Sequence, residues 1–481
     1  MHRLYAPCLI LILALCPGLL AAQDGATELT LEQSLELLHR DNRSLKIADK
    51  SIEWARSERQ RISSFWYPDV NISGAYVRMA NPIEVREPLS QFTDPAKDFV
   101  HSIIPDDQII SSILDQIGTY SLRFPLAPQS LATVDASVTW PLFAGGKRIY
   151  AGKIGRTMVE AAEVGREQVE ADLQTLLVES YFALRLGRKV VEVREQTLRS
   201  LEQHYQDALK LEAQGMIDKA ARLFVQVSRD EARRELESAR KELGVAQSAL
   251  RTLLGLEGTG DIHPSSPLFI HDTLPPVSYF KSLVGENNYM VNQLELQNEM
   301  AGYELKMGKT AYAPEIALFG KQTLYSHGIQ KNLMPRAMVG IGATWNIFDG
   351  LNREKKIKQA RITQQTVSLT RDKAVDDLGV GIDKLYTQIQ NALDDVTALS
   401  TTIELSRELV RMRQRAFAEG MATSTEVVDA EVMLSKAEIA SLLAYYQYDV
   451  ALAALLATCG IPETFGEYRR EGRTEHYIFR P

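Results

Sequence analysis

The chain has almost no cysteine to work with. Three of its 481 residues are Cys, and two of these, Cys8 and Cys16, fall in the first 22 positions. Without that segment only Cys459 remains, which excludes an intramolecular disulfide. At the end of the apolar run ALAALLATCG, Cys459 reads as a small core residue rather than a reactive thiol. Basic excess is missing too: the formal charge is −8, whereas a nucleic-acid partner calls for basic patches. Beyond the N-terminus no stretch reads as an apolar transmembrane helix, so a membrane role would need a β-barrel, whose sequence signal is weaker. His204, His263, His271 and His327 are scattered without ligand spacing, and no G-x-S-x-G is present. The GKT at 308–310 is not a phosphate loop: Gly302 lies one residue too far away, and the motif precedes a strand instead of following one. No enzyme, metal site or cofactor is expected.

Proline is absent between Pro141 and Pro264, and again between Pro335 and Pro462. Two such stretches allow very long helices. One from about Lys147 to Ala213 would run on the order of 100 Å at 1.5 Å per residue. Leu198, Leu201, Tyr205 and Ala208 recur at steps of three and four, the spacing of a coiled-coil seam. The charged segments around them read as solvated faces.

What is present is a repeat. VTWPLFAGGKR at 138–148 returns as ATWNIFDGLNR at 343–353, an offset of 205. The same offset joins Phe143 to Phe348, Tyr181 to Tyr386, Gly215-Met216 to Gly420-Met421, and Gly255 to Gly460. Upstream the offset is 246, joining Leu37 to Leu283, Asn42 to Asn288, Ala55 to Ala301 and Pro68 to Pro314. Matches sustained over more than a hundred residues mark a duplicated unit. The two offsets differ by 41, so the first copy carries that many extra residues, within about 80–130. The prolines clustered there predict a long loop, with a short helix near 106–118.

The expected organisation is a signal peptide at 1–22, a first helix–strand–strand–helix repeat at 23–258, and a Gly/Pro-rich connector at 259–277. A second repeat follows at 278–462, then a polar C-terminal tail at 463–481. The signal peptide rests on a basic start before LILILALCPGLLAAQ, ending in small residues. Leu15, where a small residue would precede a lipidated Cys16, argues against a lipoprotein. The first repeat opens on a capping box, Thr30 to Gln33.

Four strands show period-2 alternation. Val134, Ala136, Val138 and Trp140 oppose Thr133, Asp135, Ser137 and Thr139, and Val339, Ile341 and Ala343 oppose Gly340, Gly342 and Thr344. The strand from Glu315 alternates less cleanly. Trp66, Tyr67, Trp140, Phe143, Trp345 and Phe348 gather at strand–helix junctions, the pattern of an aromatic girdle at a membrane interface. A soluble sandwich with aromatics packed at its end is the other reading, but four strands alone leave edges unpaired. They also cannot close a usable barrel, which points to strands contributed by several chains. Gly215 and Gly420 read as helix terminators, with Asp218 and Thr423 as the next N-caps. AQGMIDKA and EGMATSTE are thus tips of helical hairpins, each presenting a methionine.

Leader, duplicated units, proline-free helices and Gly-plus-apolar tips together resemble the TolC family of outer-membrane efflux proteins, over the chain from about Leu29 to Pro462. The resemblance implies an α+β membrane protein: a homotrimer with a twelve-stranded barrel in outer-membrane lipid and a tunnel of long antiparallel helices through the periplasm. It implies a passive exit duct for efflux or type I secretion, working with a periplasmic adaptor and, through it, an inner-membrane pump. It assigns adaptor docking to Gly215, Met216, Gly420 and Met421, with Met where Leu is usual. It assigns the periplasmic gate to Glu426 and Asp429, which three residues apart share a helical face; Thr423 to Glu426 is equally a capping box. Ala422 replaces the arginine of some members' gate, and the first copy has Ala221 and Phe224 at the acidic positions. The alternative is an exported coiled-coil stalk or adhesin without a pore.

Overall fold

The computed structural model describes residues 27–105, 108–258, 260–328 and 335–475. The expected signal peptide lies outside them. The first repeat runs β1 (Thr27–Leu29), α1 (Leu31–Asp41), α2 (Arg43–Ser63), β2 (Asp69–Arg78), β3 (Ile83–Pro88), α3 (Ser90–Ile103), α4 (Gln108–Gly118), β4 (Ser121–Ala127), β5 (Ser130–Ala144), α5 (Lys147–Ala213) and α6 (Lys219–Leu254). The connector holds β6 (Ile262–Pro264) and β7 (Phe269–Ile270). The second repeat runs α7 (Val277–Asn287), α8 (Tyr289–Lys309), β8 (Glu315–His327), β9 (Ala337–Thr344), α9 (Asn352–Ala418) and α10 (Ser424–Thr458), followed by α11 (Phe465–Glu471) and β10 (Arg473–Thr474). Both long helices are 67 residues. The chain divides into two compact units. One holds most of the helices and the small β1–β6 and β7–β10 sheets, the other residues 55–159 and 298–366 with the main sheet and the β3–β4 pair.

In the helical unit the duplication is written in hydrogen bonds. The Asn42 amide donates to Leu253 O (3.2 Å), and its counterpart Asn288 donates to Thr458 O (2.7 Å). The Tyr181 hydroxyl donates to Leu29 O (2.7 Å), and Tyr386 donates to Pro275 O (3.2 Å). Each partner is displaced by the offset of its own segment, so both copies close by the same links. The capping box on α1 forms, with Gln33 N donating to Thr30 Oγ1 (3.1 Å) and Thr30 N to Gln33 Oε1 (2.9 Å). The coiled-coil seam forms as well: Leu201 and Ala208 are buried with Val225 and Ala232 of α6 and Val428 of α10.

α10 departs from the sequence reading. It is long and apolar enough to cross a membrane, yet most of its apolar window is buried. Leu442, Tyr448, Leu452, Leu455 and Leu456 are fully inside the main core. A helix apolar all round is the central element of a bundle as readily as a membrane span. The polar tail is a second departure, since its described part is folded. Phe465 is buried edge-on to Phe269, with ring centroids 5.5 Å apart. β10 pairs antiparallel with β7, and Glu475 is fully buried.

In the other unit β2, β5, β8 and β9 form one antiparallel sheet in that order. β5 and β8 join the two repeats, while β2 and β9 are the edges. Pro141 sits inside the central strand β5, at a register shift between Pro141 and Phe143, where a missing N–H is tolerated. β8 alternates poorly because a second shift falls at Val134/Asp135 and because Phe319 lies over the opposite, glycine-bearing stretch of β9. A Cβ on Gly340 would come within 2.8 Å of the Phe319 ring, so glycine here makes room for that ring.

The insertion is not a loop. β3 and β4 form an antiparallel ribbon, and α3 and α4 form a helical hairpin at its end. Pro88 and Pro125 lie in a two-stranded ribbon whose strands are both edges, where proline costs little. Pro95 lies within α3 itself.

Candidate functional site

Two groups of residues carry the functional reading: the sheet with its junctions, and the hairpin tips. Across the sheet, pairing aligns Val70 with Val138 and Ile72 with Ala136, then Trp140 with Leu318 and Leu318 with Ile341. One face is therefore apolar across all four strands. Val70, Ile72, Val339 and Ile341 are each about two-thirds exposed or more. In a sandwich these residues would be covered. The other face carries Asp135, whose carboxylate accepts from Thr323 Oγ1 (2.7 Å) and pairs with Lys321 (3.0 Å) across the strands.

All six residues of the expected girdle (Trp66, Tyr67, Trp140, Phe143, Trp345, Phe348) are exposed, at one end of this sheet. Their geometry repeats too. Trp140 Nε1 donates to Trp66 O (3.0 Å), and Trp345 Nε1 donates to Tyr312 O (3.1 Å). The junction arginines were not singled out by sequence reasoning, although they share the offset. Arg148 lies over the Trp66 ring at 5.0 Å, and Arg353 over Tyr312 at 4.4 Å. Arg353 also donates to the carbonyls of Ala311 (2.8 Å), Asn346 (3.2 Å) and Ile347 (3.2 Å), tying strand end to helix start. Its planar fork of donors suits this use in a way an ammonium could not.

The tips obey one local rule. Gly215 (φ +72) and Gly420 (φ +73) take the left-handed conformation. Met216 N then donates back to Leu211 O (2.9 Å), and Met421 N to Ala416 O (2.8 Å). This is the Schellman closure of a helix, with glycine just past the end and an apolar residue next. It leaves both methionines exposed. Each returning helix is capped as expected: Asp218 accepts from Ala221 N (2.8 Å), and Thr423 and Glu426 form a reciprocal box. The two tips are neighbours, since the Met216 methyl lies 3.9 Å from where a Gly420 Cβ would be.

The structure separates the two gate candidates. Glu426 accepts from Thr423 N at 2.9 Å and lies 3.3 Å from Arg413, which together hold its carboxyl below the usual range. Asp429, one turn on, is exposed. Above them, Glu431 and Glu438 are buried on α10, a placement sequence reasoning missed because α10 has no clean polar face. Glu431 accepts from Gln414 Nε2 (2.7 Å) and Ser200 Oγ, and Glu438 from Arg407 (3.0 Å). Burial pushes both carboxyls up. A raised native pKa contributes stability below the unfolded carboxylate value of about 4.3, and that contribution is lost as pH rises through the native value. The heat-unfolding midpoint should therefore fall as pH rises above about 4.3, and Glu431→Gln, which keeps the acceptor oxygen, should flatten that fall. An unchanged slope would remove Glu431 as its source.

The chain matches the model of the outer membrane efflux protein family over residues 35–256 and 282–460, both repeats with the connector left out. The chain belongs to that family. The family is one of transport channels, not of enzymes. The chain is 24% identical over 316 residues to the alkaline protease secretion protein AprF of Pseudomonas aeruginosa, an alignment covering 64% of this chain and 66% of AprF, just under two thirds of that protein. Its fold is shared with CusC (TM-score 0.70, 17% identity, 89% of this chain and 92% of that one). It is shared also with the open-state MtrE outer membrane channel of Neisseria gonorrhoeae (TM-score 0.68, 17% identity, 90% and 89%).

Proposed function

We propose that this member of the family is the outer-membrane exit duct of an efflux or type I secretion apparatus. Three copies, each giving four strands, would close a twelve-stranded barrel. The observation that carries this reading is the sheet: its apolar face is exposed at Val70, Ile72, Val138, Val339 and Ile341, and its outer strands β2 and β9 each have an unpaired edge among the described residues. In lipid an open edge is not viable, and closure removes it. The exposed tryptophans at one end would then lie at the membrane interface, and the junctions with Arg148 and Arg353 would be where barrel strands become periplasmic helices. The paired tips, with Met216 and Met421, would meet a periplasmic adaptor that links the duct to an inner-membrane pump. The name of the AprF relative supports secretion as the export mode. A stalk or adhesin without a pore leaves the apolar sheet without a use.

The test is the native mass of mature protein extracted in detergent from purified outer membranes. A trimer is expected; a monomer, or recovery in the soluble periplasm, would overturn the reading.

Asp429 is the gate residue this reading favours, because Arg413 already offsets the charge of Glu426. Three exposed carboxylates around a narrow opening would favour cations. Multivalent cations added from the tip side should block conductance, and Asp429→Ala should weaken that block several-fold, whereas Glu426→Gln should change it little. Equal block in wild type and Asp429→Ala would eliminate the assignment.

A further inference from the structure

We infer that the insertion between β2 and β5 is a contact between copies of this chain, in which the α3–α4 hairpins pack their apolar faces together across the outer mouth of the barrel. This rests on the trimeric reading above.

On α3, Phe92, Phe99 and Ile103 follow at steps of seven and four; on α4, Ile110, Ile113 and Ile117 follow at steps of three and four. All six are exposed. The helices already hold each other by other positions. A Cβ on Gly118 would come within 2.8 Å of the buried Thr93 hydroxyl, and Lys97 reaches across to Asp115. These contacts make the pair antiparallel. At about 100° per residue from that seam, both stripes fall on the same side of the hairpin. Among the described residues nothing covers Phe92, Phe99, Ile103, Ile113 and Ile117 on this face.

Charge decides between occupants. Residues 90–118 contain five aspartates and one lysine, and Lys97 is engaged with Asp94 (3.5 Å) as well as Asp115. Helices that lie on a membrane surface carry lysine and arginine on the polar face, and an anionic leaflet repels an acidic one. Position points to a second copy. The hairpin grows from the end of β2 remote from Trp66, and β2 is the sheet edge that a neighbouring copy must complete. Tethering at that seam gives a millimolar effective concentration, at which modest apolar faces associate.

Ile113→Cys tests this in the full-length protein within intact outer membranes. Cys459 is buried and gives no background beyond the leader. Native mass is measured first. A monomer overturns both the trimeric reading and this one. In a trimer, a short bis-maleimide should convert most of the protein to covalent dimers. Full labelling by a water-soluble maleimide without dimers would show a face open to the exterior, and protection without dimers would show a lipid contact or a self-contained plug; either result overturns the inference. Ile113→Asp with Ile117→Asp should raise single-channel conductance several-fold in a preserved trimer, and unchanged conductance would overturn closure of the mouth.

Discussion

Gly460→Ala should destabilise the protein by about 2–5 kcal/mol, and Gly255→Ala by only about 1–2 kcal/mol. The two glycines occupy equivalent positions and have nearly the same φ, +72 and +65. The left-handed conformation therefore penalises both replacements alike. Their surroundings differ. A Cβ on Gly460 would stand 2.2 Å from Asn287 O, whereas on Gly255 its nearest neighbours are Asp41 atoms at 3.7 Å. The clash in the second copy can be relieved only by pushing the end of α7 away from α10. That movement breaks the bond from the Asn288 amide to Thr458 O. Heat-unfolding midpoints of the two variants in the same detergent check the comparison. Equal losses would mean that the helix end moves freely and that backbone strain alone is measured.

The second large effect is expected at Glu475. This fully buried carboxylate accepts from Arg185 Nε (2.7 Å), pairs with its Nη2 (2.6 Å), and accepts from Leu268 N. Arg185 also donates to Pro264 O (3.2 Å), so one ion pair fastens the C-terminal segment to the connector and to α5. Removing one member of a buried pair leaves the other uncompensated, at a cost of about 3–5 kcal/mol. Glu475→Ala should therefore lower stability by that order and expose Arg473 to trypsin. Combining it with Arg185→Ala should recover part of the loss, since no orphan charge then remains. If the double variant is as unstable as the sum of the singles, the pair is not the fastening.

The duplication was legible because a fixed offset needs no knowledge of contacts. Trp140 and Trp345, Asn42 and Asn288, and Gly215 and Gly420 each proved to make the same bonds twice. The alternation of β2, β5 and β9 was legible for a similar reason, since a strand records its two faces in every other residue. β8 hid its pattern because Phe319 sits on the face opposite to the one its neighbours would assign, over a gap that two glycines on another strand provide. The insertion misled because proline was weighed as if every strand were central; in a ribbon of two edges it excludes little. Glu475 did not stand out from the polar tail because its partner is 290 residues away. Glu431 and Glu438 were invisible for the complementary reason, in that a charge on an apolar helix says nothing about whether it faces water.

The acidic turn after the second tip has a consequence for symmetry. A trimer of a duplicated chain presents six helical hairpins that are alike in their Gly-Met ends. Only three of them carry an acid where the others carry Phe224 and Ala221. Such a ring is sixfold in its outline and threefold in its charge. A partner that bound through shape alone could dock at any of six rotational steps, whereas one that reads the carboxylates is confined to every second step. Duplication would supply the outline, and divergence of one turn of helix the direction.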